Sequence, residues 1–253
     1  MALIEELLHR RTDLSTFLIH LTRDRPDATA RQNLLAMVGS GVIEARTAFG
    51  PAAPQEPYLA VGATQKAVCF TETPLEHAWM MLEHIDGRSV RFQPYGLALT
   101  KTTARKGGCN PVWYSDITPG RPWPITSVNA MIKDAVRRAT TDGKVDPEAL
   151  SEEPIFKVTP FFEQMGPTTY RRKEFWWERE WRHVGDFNLS FPSRIVAIFA
   201  PADDHEHLRE ELRQIHDAWG RRPILDPHWG LERMIAELAQ ISEEQIGPFP
   251  EAG

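Results

Sequence analysis

The sequence contains two cysteines in 253 residues, Cys69 and Cys109, which stand far apart. They give no paired spacing for a metal site and cannot build a disulfide framework, so a reducing compartment suits the chain. It also lacks any apolar run approaching the roughly 18–20 residues that a bilayer-crossing helix needs. The N-terminus carries Glu5 and Glu6 and has no apolar signal-peptide core. These absences lead to the expectation of a cytoplasmic protein with no membrane contact. Positive charge is in deficit, with a net charge of −6, which argues against holding nucleic acid through an overall field and leaves a local basic patch open. There is no glycine-rich phosphate loop, Gly107-Gly108 being too short, and no serine in a nucleophile elbow. Repeats and low-complexity tracts are absent. The acidic run Asp203-Asp204-His205-Glu206-His207 falls at a predicted helix start, where the helix dipole favours carboxylates, and no metal site is expected there.

What is present is ordinary for a globular protein: 42% apolar and 25% charged residues, in a chain long enough to bury a sizeable core. Leu3, Ile4, Leu7 and Leu8 space a short N-terminal helix over 2–10. Leu14 to Thr22 reads as a buried strand, and Asp27 can cap a helix from Ala28 to Val38 that Gly39 or Gly41 ends. Strands follow at 42–46, 67–71 and 95–100, with a loop over 50–66 and a helix over 75–84. Asn110 to Tyr114 reads as one extended segment. Ser127 to Thr140 has helical spacing, and Ile155 to Phe162 fits a strand or a helical turn equally. Arg194 to Ala200 is the clearest buried strand. A helix with the stripe Leu208, Leu212, Ile215 and Trp219 comes next, and Pro227 can open a last helix with Leu231, Met234, Ile235 and Leu238 inward. The class is α+β, in a single domain over 1–253 with a core at 14–201 and a C-terminal helical extension at 202–253.

The chemistry concentrates in Trp176-Trp177-Glu178-Arg179-Glu180-Trp181-Arg182-His183-Val184-Gly185. As a strand over 177–184, it would place Glu178, Glu180, Arg182 and Val184 on one face and Trp177, Arg179, Trp181 and His183 on the other. Two carboxylates beside a guanidinium can tune one another's ionisation and fix one carboxylate beside a ligand. A cross-strand charge ladder is the plainer alternative. His20 and Thr22 end the first strand with groups that can bond ribose hydroxyls. Phe70 could stack on a planar heterocycle, with Thr71 beside it. Tyr170-Arg171-Arg172-Lys173 offers three cations beside an aromatic, a phosphate or nucleic-acid contact or else a solvated turn.

The order of these pieces is more specific than any one of them. His20-Leu21-Thr22, Gly41-Val42-Ile43, Cys69-Phe70-Thr71-Glu72-Thr73-Pro74-Leu75, Tyr95 to Lys101, Asn110 to Tyr114 and Trp177 to Arg182 together resemble the abortive phage resistance AbiGi antitoxin family. The layout is similar, more distantly, to the ADP-ribosyltransferase fold, including DarT toxins that modify DNA. That resemblance implies a split β-sheet core with flanking helices and a C-terminal helical pair. It implies NAD as substrate, with Glu180 catalytic and Glu178 assisting as in a Glu-x-Glu pattern. His20, Thr22, Phe70 and Thr71 would hold the dinucleotide, although phenylalanine stands where one version of the pattern has tyrosine. Nucleic acid, contacted through Arg171, Arg172 and Lys173, or else a protein would be the acceptor. The antitoxin label implies instead a non-catalytic binding module paired with a toxin.

Overall fold

The computed structural model describes residues 13–85, 88, 90–120, 123–167, 172–189, 191–242 and 245. The N-terminal helix expected over 2–10 lies outside them, as do Tyr170 and Arg171. The described residues mix helices and strands in an α+β arrangement. The chain divides into two compact units, each discontinuous in sequence: Met1–Val42 with Glu72–Ala104 and Leu189–Gly253, and Ile43–Thr71 with Arg105–Asn188.

In the first unit the strands run in the order Ile224–Leu225, Ile195–Phe199, Gly96–Thr100 and Phe17–Leu21. Phe17–Leu21 and Gly96–Thr100 are antiparallel, Phe17 opposite Thr100 and Leu21 opposite Gly96. These segments are apolar on both faces, and Leu18, Leu97, Leu99, Ile198 and Phe199 are fully buried. Gly96 is required here because a Cβ on it would lie 2.3 Å from the carbonyl oxygen of His20. Ile224–Leu225 pairs in parallel with Ile195–Phe199, so a segment beyond residue 201 adds a strand to this sheet.

The helix Ala30–Ser40 is capped by Thr29, not Asp27. Thr29 and Gln32 form a capping box, which satisfies two orphan backbone groups where Asp27 would satisfy one. Gly41, at φ 69°, closes it by donating its N–H to Met37. The helix expected through Trp219 breaks into His205–Ile215 and Asp217–Gly220, because His216 adopts an extended backbone and its ring accepts the N–H of Ala218. The last helix spans Leu231–Leu238 and starts after Gly230, well past Pro227. It buries Met234 and Ala236, while Leu231 and Ile235 are about half exposed.

In the second unit, Glu180–Val184 lies between Lys66–Thr71 and Asn110–Pro111, and Thr47–Ala48 pairs with the start of Lys66–Thr71, at Ala67 and Lys66. A second sheet joins Trp113–Asp116, Phe162–Pro167 and Arg172–Lys173. The expected single strand over 110–114 is thus split between two sheets, and the N–H of Val112, at the crossing, bonds Glu180 O at 2.8 Å. Residues 155–162 use both readings in succession: helix Pro154–Val158, a turn, then the strand from Phe162. Helix Trp123–Arg138 begins earlier than Ser127 and sends Ile125, Val128, Ile132 and Ala135 into a cluster with Leu150, Phe156 and Phe162. The loop expected over 50–66 includes a short turn, Ala53–Tyr58. It is tethered: Glu56 accepts from the Thr64 hydroxyl at 2.8 Å and from the Gln65 N–H.

The stretch 177–184 is not one strand. Phe175–Glu178 is a 3-10 turn, and Arg179 sits in the left-handed region at φ 47°. The strand begins only at Glu180. A left-handed residue reverses the local path and destroys the two-residue alternation, so Glu178 does not share the strand face of Glu180 and Arg182.

Candidate active site

Within the second unit, Glu180 faces Thr71 across the antiparallel pair, Trp181 faces Phe70 and Arg182 faces Cys69. Residues directly opposite project to the same side. Glu180, Arg182, Cys69 and Thr71 therefore share one face, while Trp181, Phe70, Val68 and His183 share the other.

Arg182 is the centre of this face. It is 1% exposed, yet it carries a full charge. Burial of a guanidinium is costly unless all five N–H groups find acceptors. Here Nε donates to Glu180 at 3.0 Å and Nη2 to the other Glu180 oxygen at 2.8 Å. Nη2 also donates to Glu163 at 2.5 Å, and Nη1 to the carbonyls of Pro160 at 2.7 Å and Phe162 at 3.3 Å. The guanidinium carbon lies 4.3 Å from the centre of the Phe49 ring, a cation–π contact. Burial works against this charge, but Glu180 and the neighbouring acceptors outweigh it and raise the Arg182 pKa further.

Glu163 is held in turn by Lys173. Burial pushes the Glu163 carboxyl upward, while Arg182 and Lys173 outweigh it and leave it below the ordinary carboxylate range. The cluster thus balances two carboxylates against two cations. Lys173 is its most exposed member, and the side chains of Glu180 and Glu163 are 16% and 13% exposed against 1% for Arg182. Each Glu180 oxygen accepts one N–H from Arg182, and a carboxylate oxygen has a second lone pair to offer.

Two further side chains fix the start of the strand. The Thr71 hydroxyl donates to the carbonyl of Glu178 at 2.6 Å, holding the turn. Tyr114 accepts the Glu180 N–H on its phenolic oxygen at 3.2 Å. Burial raises the Tyr114 phenol, and the Glu180 charge raises it further. The Cys69 thiol is likewise pushed up by burial and then by Glu180.

The structure therefore gathers Glu180, Glu178 and Thr71 in one region of the second unit. Phe70 is elsewhere: it is 2% exposed, on the opposite face, with its ring edge-on to Phe187 at 5.2 Å. A ring enclosed in that way stabilises the core and offers no free face for a heterocycle. Thr22 belongs to the first unit, where its buried hydroxyl lies 2.9 Å from the Ala30 carbonyl and 3.1 Å from that of Tyr95. Its donor proton is spent locally. His20 lies in Phe17–Leu21 opposite Leu97 and is partly exposed. Of the basic run, Arg172 pairs with Glu174 at 2.6 Å and Lys173 with Glu163. The acidic run is occupied too, since Asp204 bonds Arg31 at 2.7 Å.

Sequence reasoning singles out neither Glu163 nor Tyr114. Tyr114 stands inside one of the ordered motifs without a role of its own, whereas Glu163 follows a segment that fits strand and helix equally and carries no local signal.

These features define an α+β protein with a site in which a buried arginine holds two carboxylates. The family described as "Putative abortive phage resistance protein AbiGi, antitoxin" matches residues 36–216, and the chain belongs to that family. No curated protein matches the chain. Among solved structures, DarT of Thermus sp. 2.9 in complex with carba-NAD+ is similar at 15% identity, over 83% of this chain and 94% of that one, with a TM-score of 0.37. A likeness this loose positions no residue. Among the described residues, no helix is long and apolar enough to cross a membrane.

Proposed function

We propose that this AbiGi-family protein is an NAD-dependent ADP-ribosyltransferase of a phage-defence system, with Glu180 as the catalytic carboxylate. The observation that supports the reading is the bidentate hold of buried Arg182 on a carboxylate that is itself partly exposed. A rigid, fully backed carboxylate with a lone pair left over suits a reaction that builds positive charge next to it. In that reaction the bond between ribose C1′ and the nicotinamide nitrogen breaks, and the electron pair leaves with nicotinamide. Glu180 accepts a hydrogen bond from a ribose hydroxyl and stabilises the cationic sugar. A nucleophile of the acceptor then bonds to C1′, and Glu178 takes its proton.

His20 belongs to the first unit and takes no part in the proposed step. Thr22, Phe70 and Thr71 are reassigned from contact to support, because each has its polar group or ring committed within its own unit. The proposed acceptor is nucleic acid, approached through Arg172 and Lys173 together with Arg171. The Arg172–Glu174 pair is solvent-exposed, so exchanging Glu174 for a phosphate costs little.

Incubation with labelled NAD and DNA, RNA or a lysate tests the reading against Glu180→Gln. Label transfer by the wild type and its loss in the variant are expected. No transfer and no NAD-dependent thermal shift would sink the enzyme, and equal transfer by the variant would sink the placement of the carboxylate.

The family description favours a second reading, a non-catalytic antitoxin that binds a toxin. In that case the Arg182 cluster is a folding device, and a neighbouring gene product co-purifies with wild type and Glu180→Gln alike.

A further inference from the structure

The phenol of Tyr114 has an uncommon balance of hydrogen bonds. Its oxygen accepts from the backbone N–H of Glu180 at 3.2 Å, so the group is pinned to the first residue of the strand. A phenol has one proton to give, and among the described residues that proton has no acceptor. The side chain is partly buried, as its neighbour Ser115 is almost wholly. It is near enough to Glu180 and Glu178 for both carboxylates to act on its ionisation, and burial acts in the same direction. The phenol therefore stays protonated and remains a donor throughout the neutral range.

Glu180 beside it has the complementary character. An ionised carboxylate only accepts, and the oxygens here keep a lone pair after Arg182 has used one on each and the Cys69 thiol one more. One donor and one acceptor, held on the same residue's backbone and side chain, make a matched pair. A vicinal cis-diol presents the reverse: one hydroxyl can donate to the carboxylate while the oxygen of its neighbour accepts from the phenol. A sugar lacking one of the two hydroxyls leaves one partner unsatisfied in a partly buried site, which is how polar sites discriminate.

We infer that Tyr114 is a specificity-determining substrate contact, donating its phenolic proton to one hydroxyl of a ribose cis-diol whose other hydroxyl is bound by Glu180. This rests on the proposed function and adds to it the requirement for an intact diol on the nicotinamide ribose. Tyr114 also positions Glu180 through the backbone N–H, so its test needs a readout that a positioning role alone would not move.

That readout is discrimination. Calorimetry would compare NAD with its two analogues lacking the 2′- or the 3′-hydroxyl of the nicotinamide ribose, on wild type and on Tyr114→Phe, which keeps the ring. The wild type is expected to prefer NAD over each analogue by at least about tenfold, the range for one lost polar partner, and Tyr114→Phe to reduce one of the two preferences to within about twofold. Equal binding of all three ligands by the wild type, or both preferences unchanged in the variant, overturns the role of Tyr114 and leaves the enzyme reading standing. Failure of the wild type to bind any of the three overturns both. Should Tyr114→Phe not fold, the Cζ resonances of carbon-labelled tyrosine in the wild type at neutral pH carry the decision. One tyrosine resonance shifted by NAD supports the contact, and a set of resonances that NAD does not move refutes it.

Discussion

Arg182 holds Glu180 by both carboxylate oxygens, through Nε at 3.0 Å and Nη2 at 2.8 Å, two residues along the same strand. The pair is part of a network that also takes in Glu163, Lys173 and two backbone carbonyls. Such a network does not add stability simply by existing, because desolvating the charges offsets most of their attraction. Its importance shows when one member is removed.

Replacing Arg182 with Met should destabilise the protein by about 3–5 kcal/mol, since two carboxylates and two carbonyls lose their donors in a dry site. Urea unfolding monitored by tryptophan fluorescence measures this directly. Adding Glu163→Gln and Glu180→Gln to Arg182→Met should recover part of the loss, because fewer charges are then stranded. A loss below about 1 kcal/mol, the scale of an exposed pair, would show that the cluster is open to water in solution.

Glu163 sets an acid limit. Its folded pKa lies below the ordinary value of about 4.5, burial opposing and Arg182 with Lys173 prevailing. A depressed carboxylate contributes stability that is complete above the unfolded pKa and is lost as pH falls through the folded one. Melting temperature should therefore fall steeply below about pH 4.5, and Glu163→Gln should flatten that acid limb while lowering the plateau at pH 7. An acid limb as steep in the variant as in the wild type would assign the effect to other carboxylates.

Gly50 and Gly62 provide a paired test of backbone and space. Both have positive φ, 78° and 92°. A Cβ on Gly50 would lie 1.9 Å from the Thr159 carbonyl oxygen, whereas a Cβ on Gly62 meets nothing within 4 Å. Gly62→Ala should cost only the conformational strain, about 1–2 kcal/mol. Gly50→Ala should cost clearly more, because Thr159 is fixed by its hydroxyl bond to Gln65 at 2.8 Å and cannot yield cheaply. Thermal unfolding of the two variants side by side ranks them.

The sequence made the apolar strands easy to read and the site hard. Phe17–Leu21, Gly96–Thr100 and Ile195–Phe199 are apolar runs broken only by His20 and Thr100, and such runs are read as buried strands. The α+β class and the family followed from those runs and the ordered motifs. The site depends on facts with no local signature. A single left-handed residue, Arg179, removes Glu178 from the strand, and nothing about an arginine announces a positive φ. Phe70 and Thr71 are adjacent in sequence, yet alternation sends one to the core and the other to the Glu180 face. The partners that make Arg182 a hub, Phe49, Pro160, Phe162 and Glu163, arrive from segments that carry no pattern linking them.

The cysteines report on the same network without any substrate. The Cys69 thiol lies among Glu180 and Arg182, and its pKa is raised first by burial and then by the Glu180 charge, with Arg182 opposing. Burial alone raises Cys109 to about 12. Because only the thiolate reacts, both cysteines should be slow toward a disulfide reagent at pH 8 in the native protein and fast once it is unfolded. Glu180→Gln removes the negative charge that disfavours the Cys69 thiolate and leaves Arg182, which favours it. The variant should therefore label at Cys69 several-fold faster than the wild type, on the scale of one pKa unit per tenfold in thiolate fraction, with Cys109 unchanged. Peptide mass mapping after timed labelling separates the two sites. If Glu180→Gln leaves Cys69 as slow as before while unfolding freely exposes it, burial alone protects the thiol, and Glu180 does not bear on it in solution.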